Sequence, residues 1–98
     1  MDLHFDIPYY HVDLLKISYE HYELEVYHKE SGEKRVYDIK EEIKTVAFDD
    51  LSLRMTITLP NNTYIHLNFE SPEYIYGDIY EEYTDEHLDV FMVHEFNN

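Results

Sequence analysis

From Glu23 to Lys29 the sequence ELEVYHK alternates, with Leu24, Val26 and His28 on one face of an extended chain and Glu23, Glu25, Tyr27 and Lys29 on the other. Glu30-Ser-Gly-Glu33 then supplies turn chemistry before Arg35-Val-Tyr-Asp-Ile39, so the pattern predicts a hairpin. A second hairpin follows. Leu51, Leu53, Met55, Ile57 and Leu59 alternate with Ser52, Arg54, Thr56 and Thr58; Pro60-Asn-Asn62 turns the chain; Ile65, Leu67 and Phe69 alternate with Tyr64, His66 and Asn68. Between the hairpins Ile43 to Phe48 reads as a short strand, although KEEIK also fits a helical turn. Leu3 to Ile7 is strand-like, and Val12 to Tyr19 fits either type.

After Phe69 the period changes. Ser71-Pro72-Glu73 has the makings of a helix start: a capping side chain, a proline at the first helical position and an acid near the positive end of the dipole. At about 100° per residue, Asp78, Glu81, Glu82, Asp85, Glu86 and Asp89 fall within an arc of about 140°, and Tyr76, Ile79, Tyr80, Tyr83 and His87 fall opposite, facing a core. Met92 and Val93 would enter the acidic arc, so the helix is expected to end near residues 87–89, with Val90-Phe-Met-Val93 as a buried strand. The predicted fold class is α+β: an antiparallel sheet or small curled barrel of about five to six strands with one helix near the C-terminus, at about 72–88. This succession loosely resembles that of pleckstrin-homology-like barrels.

Ninety-eight residues make one domain, 1–98, able to bury about 60–65% of the unfolded chain's surface. With 44% hydrophobic residues, eleven Tyr and five Phe, there is enough apolar surface to offset the entropy of ordering. The absence of cysteine rules out disulfides and thiolate metal sites. Met1-Asp-Leu-His-Phe-Asp6 has neither a basic nor an apolar leader region, and no stretch approaches eighteen apolar residues, so a cytoplasmic protein is expected.

Charge changes the picture more. Twenty-two acids face seven bases, giving a net charge of −15, and every base lies at or before Arg54. From Met55 onward there are nine acids (Glu70, Glu73, Asp78, Glu81, Glu82, Asp85, Glu86, Asp89, Glu95) and no Lys or Arg. Such a field repels nucleic acid and anionic membranes and draws cationic partners. On the predicted helix, Asp78, Glu82, Asp85 and Asp89 would stack along one edge about 5–6 Å apart, each like-charged pair costing a few tenths of a kcal/mol. A single lysine would relieve that cost. A solvated acidic face explains the charge equally well, whereas salt adaptation fits a chain with one Ala and sixteen aromatic residues poorly.

The expected partner-binding residues are therefore Glu73, Asp78, Glu81, Glu82, Asp85, Glu86 and Asp89. The expected partner is a basic nucleic-acid-binding protein, a nuclease or DNA-modifying enzyme, from which DNA or RNA would be excluded by competition. In composition the chain resembles the small acidic inhibitors encoded by phages and mobile elements, including uracil-DNA glycosylase inhibitors, anti-restriction proteins and anti-CRISPR proteins. That resemblance implies counter-defence in the cytoplasm of a host bacterium. An immunity protein that neutralises a basic toxin, and an acidic accessory domain, are the alternatives.

His4-Phe-Asp6, His11-Val-Asp13 and His87-Leu-Asp89 repeat a His-x-Asp spacing, which on a strand puts both side chains on one face, as a site of two His and one carboxylate requires. With seven His and twenty-two acids the pattern also recurs by chance, so hydrogen bonding is the expected role and neither a metal nor a cofactor is expected. Protonating all seven would bring −15 to −8, making charge-driven binding sensitive to pH below about 6.5. There is no phosphate loop, no nucleophile elbow and no convergent carboxylate pair, so the protein is not expected to be an enzyme.

Overall fold

The hairpins read from alternation are present, and further ones follow through the last described strand, which ends at Glu95. In the computed structural model, which describes residues 2–96, β1 (Asp2–Asp6), β2 (Tyr10–Ser18), β3 (His21–His28) and β4 (Lys34–Ile39) form one sheet in that order. A second sheet contains β5 (Thr45–Asp49), β6 (Arg54–Leu59), β7 (Thr63–Asn68), β8 (Tyr74–Glu81) and β9 (His87–Glu95), again in chain order. All neighbours are antiparallel, so each sheet is a meander.

The two sheets stack face to face. Tyr10, Val12 and Leu14 of β2 and Tyr22, Leu24 and Val26 of β3 point inward to meet Met55, Ile57 and Leu59 of β6 and Ile65 and Leu67 of β7 in one core. Phe5 of β1 lies against Phe48 of β5, with ring centroids 5.5 Å apart, and Tyr37 of β4 lies 6.4 Å from Phe91 of β9, so edge strand covers edge strand on both sides. The shortest extent of the molecule, 21 Å, accommodates two sheets about 10 Å apart. No helix of the structure is long and apolar enough to cross a membrane.

Sharp turns fall where side chains tolerate left-handed backbone. Gly32 (φ 77°) closes β3–β4, and Asn61 (φ 64°) and Asn62 (φ 59°) close β6–β7. Beyond Phe69 the chain is clamped by two buried side chains of the first sheet: the Tyr10 hydroxyl donates to the Ser71 carbonyl (2.7 Å), and His28 Nε2 contacts the Pro72 carbonyl (2.7 Å). Since only an N–H can bond a carbonyl, His28 carries its proton on Nε2, leaving Nδ1 to accept from the Ser31 amide (3.2 Å) and the Ser31 hydroxyl (2.6 Å). The imidazole also stacks on Phe96 at 4.7 Å.

The α+β expectation is corrected here. There is no helix among the described residues; segment 72–88 holds all of β8, a turn and the start of β9, and the resemblance to a barrel closed by a helix goes with it. There are nine strands in two sheets, in place of about five to six in one. Two periods competed in this segment. Ile75, Gly77 and Ile79 alternate with Tyr74, Tyr76, Asp78 and Tyr80, and a run so rich in Tyr and Ile favours the pleated solution. Ser71 does cap, but as a turn: its Oγ accepts the Glu73 amide at 3.1 Å. Val90 to Val93 belongs to a strand, but an edge one, with Val90 51% and Val93 65% exposed and Met92 buried. Leu51, assigned to a strand by alternation, lies in the β5–β6 turn and is 98% exposed.

Candidate partner-binding surface

The acidic segment is a hairpin. Its turn, Glu82 to Glu86, is closed by the Glu81 amide donating to the Glu86 carbonyl (2.9 Å) and the Asp85 amide donating to the Glu81 carbonyl (2.9 Å). One carboxylate oxygen of Glu81 accepts from the Tyr83 amide (2.9 Å), the Thr84 amide (2.7 Å) and the Thr84 hydroxyl (2.9 Å). These bonds, the two from Thr84 foremost, hold its carboxyl below the usual glutamate value. Asp85 takes a left-handed conformation (φ 57°) and accepts the Tyr64 hydroxyl at 2.7 Å. The Glu82 amide donates to the Asn62 carbonyl (2.7 Å), so the acidic turn is fastened to the neighbouring β6–β7 turn. Glu81 and Asp85 thus spend carboxylate oxygens on building the turn, and Glu82 and Glu86 project from it exposed.

The structure gathers Glu81, Glu82, Asp85 and Glu86 within this one turn. Asp78 lies a few residues down β8 on the outer face, with His87 Nε2 3.0 Å from its carboxylate. Asp89 pairs with Ile79 and therefore faces the other side of the ladder from Asp78, whose partner is Val90. Glu73 precedes β8 at its far end, about 26 Å from Glu81 along an extended chain. The i, i+4 edge expected from a helix does not exist. In its place is a knob of carboxylates at one end of the sandwich.

No Lys or Arg reaches that knob among the described residues. Lys16 pairs with Glu42 (2.7 Å), Lys29 with Asp6 (2.6 Å), Lys34 with Glu25 (2.8 Å) and Arg35 with Glu33 (3.0 Å), all within the first half of the chain. Arg54 Nε donates to Asn68.

Beside the knob the outer face of the second sheet carries a plate of rings that sequence reasoning missed. Tyr64 and Tyr80, cross-strand partners, stack at 5.4 Å with 20° between planes. His66 sits 4.7 Å from Tyr64 and 5.5 Å from Tyr80, and His87 meets Tyr80 edge-on at 5.5 Å. Tyr74 and Tyr76 stack further along β8 at 6.0 Å. Tyr76 and Tyr80 had been expected to face the core. They face outward because on a strand Gly77 and Ile79, which alternate with them and pair with Leu67 and Ile65, take the inward positions. Burial, followed by the Asp85 carboxylate, pushes the Tyr64 phenol up to about 12, and burial with the Arg54 charge lowers His66.

The His-x-Asp spacings resolve unevenly. His87 bonds Asp78 and not Asp89, and His4 reaches across the ladder to Asp13 and not to Asp6. His11 does meet its own Asp13. On the first sheet's outer face the donor atoms of His4, His11 and Asp13 converge, as do those of His21, Glu23 and Asp38. No family model, curated protein or solved structure matches the chain.

Proposed function

We propose that the protein is an acidic inhibitor that docks its β8–β9 turn on the nucleic-acid-binding surface of a basic protein, a nuclease or DNA-modifying enzyme, and excludes DNA or RNA by competition. The observation that carries this reading is the turn: Glu82 and Glu86 are exposed beside Glu81 and Asp85, and among the described residues the ion pairs of Lys and Arg, those of Lys16, Lys29, Lys34 and Arg35, all lie elsewhere. Carboxylates fixed on a hydrogen-bonded turn lose little freedom on docking, and their summed field accelerates encounter with a cationic groove. The stacked Tyr64 and Tyr80 supply apolar contact area beside them, with rings already held by each other.

The test is capture from a bacterial extract on the immobilised protein, with elution by rising salt and, in parallel, by duplex DNA. The expected result is a basic partner released by both. The exposed pair Glu82→Lys/Glu86→Lys, which removes no hydrogen bond of the turn, should weaken binding of that partner more than tenfold. Capture that DNA does not displace, or equal affinity of the variant, would overturn the reading.

A further inference from the structure

The outer face of the first sheet carries a different chemistry. β1 and β2 pair with His4 opposite Asp13 and Asp6 opposite His11, and strand alternation turns these four side chains away from the core. Their inward neighbours, Leu3 and Phe5 on β1 and Val12 and Leu14 on β2, pack into the core and fix the register. Across that fixed ladder His4 Nδ1 lies 2.6 Å and His11 Nε2 3.0 Å from the same atom, Asp13 Oδ1. All three donor atoms lie within 4.8 Å of one another.

Two imidazoles aimed at one carboxylate oxygen is the geometry of a shared cation. A divalent ion about 2.0–2.2 Å from each nitrogen and oxygen holds its donors about 2.9 Å apart at octahedral angles and about 3.4 Å apart at tetrahedral ones. The 2.6 and 3.0 Å spacings to Asp13 match octahedral angles to within about 0.3 Å and would open by about 0.4–0.8 Å for tetrahedral ones. The nearby ammonium groups do not compete for Asp13: Lys29 is held by Asp6 at 2.6 Å and Lys34 by Glu25 at 2.8 Å. His11 and Asp13 also line an open hollow of about 420 Å³ shared with Glu25, Tyr27, Lys29 and Lys34, which leaves room for water or an outside donor to complete the coordination.

We propose that His4, His11 and Asp13 form a binding site for one divalent transition-metal ion. Two imidazoles with one carboxylate favour zinc, cobalt or nickel over magnesium and calcium, which prefer all-oxygen shells. The second cluster, His21 with Glu23 and Asp38, offers one imidazole and serves as an internal control. The site lies on the first sheet and does not depend on the acidic turn.

Calorimetric titration of the protein with Zn²⁺, Co²⁺ and Mg²⁺ tests it, with histidine ring resonances followed by NMR in the unsubstituted chain. The expected result is one tight equivalent of Zn²⁺ or Co²⁺, no comparable Mg²⁺ uptake, and shifts at His4 and His11 before any other histidine. His4→Gln/His11→Gln should weaken that equivalent at least a hundredfold with the thermal melt retained, and His21→Gln should change it less than twofold. The proposal is overturned if no stoichiometric uptake occurs, if other histidines respond first, or if His21→Gln causes the larger loss. The NMR measurement needs no variant, so it decides the matter even if the double substitution fails to fold.

Discussion

Replacing Gly77 by alanine puts the packing beneath the acidic hairpin to a quantitative test. Gly77 is buried on β8, pairing with Leu67 on one side and Met92 on the other. A β-carbon there would lie 2.5 Å from Leu67 Cδ2 and 3.4 Å from both the His66 carbonyl oxygen and Phe91 Cδ2. Without the clash the change would help, by about 0.8 kcal/mol for a buried methyl and about 0.5–1 kcal/mol for the reduced freedom of the unfolded chain. Carbon atoms prefer about 3.5–4.0 Å, so Leu67 or the backbone must move by about 1 Å within a close-packed core. Overpacking of this kind costs about 1–3 kcal/mol net. Gly77→Ala should therefore lower the melting temperature by about 5–20 °C, at about 4–8 °C per kcal/mol for a domain of this size. Urea melts of Gly77→Ala, Leu67→Val and the double variant decide the cause. Because Leu67→Val removes the clashing atom, adding Gly77→Ala to it should be neutral or stabilising, a coupling of at least about 1 kcal/mol. Equal costs in both backgrounds would refute the reasoning.

Three further outcomes follow from named contacts. The Lys16 ammonium, with the Tyr22 hydroxyl and the Glu20 amide, holds Glu42 down to about 2. A folded-state value below the unfolded one stabilises fully above about pH 4.5 and fades as the pH falls toward 2, so Glu42→Gln should narrow the difference between urea stabilities at pH 7 and pH 3; an unaltered difference would contradict this. Tyr10→Phe and His28→Leu each strip a partner from the buried clamp on Ser71 and Pro72, and each should cost about 1–3 kcal/mol in a denaturant melt, with a loss under about 0.5 kcal/mol counting against the clamp. Burial pushes Tyr10 up to about 12, and burial with Asp85 does the same for Tyr64. Both stay protonated in the folded state after they would ionise in the unfolded one, so stability should fall as pH rises from about 10; in phenolate absorbance Tyr64→Phe should delete an amplitude near pH 12 and not one near 10.

Where one side of a strand was apolar and the other polar without interruption, as in β3, β6 and β7, the residues stated the element unambiguously. The C-terminal third did not. Tyrosine belongs to either face, so Tyr76 and Tyr80 fitted a helix stripe as readily as a strand's outer row, and Ser71-Pro72-Glu73 tipped the balance toward the helix. Opposite Gly77/Asp78 and Ile79/Tyr80, β9 carries one extra residue each time, Phe91 and Leu88, which breaks the two-residue period of β9. Of the site, the excess of carboxylates was legible and its shape was not. Local spacing cannot show that Asp85 would be taken by Tyr64, twenty-one residues away, or that Glu73 would stand at the opposite end. His28 read as one more inward position of β3, and only the fold reveals that its Nε2 bonds Pro72 ahead of β8 while its Nδ1 holds Ser31 in the β3–β4 turn.

β9 borders open solvent along one side, carrying Leu88, Val90 and Val93 exposed beside Glu86, Asp89 and Glu95. Such a margin invites a second molecule to zip on, and β9 against β9 would crowd six carboxylates together. Mutual repulsion opposes that pairing. Acidifying toward the isoelectric point near 4.5, or raising salt until charges are felt over only about 3 Å, weakens that guard on the open margin of the sheet.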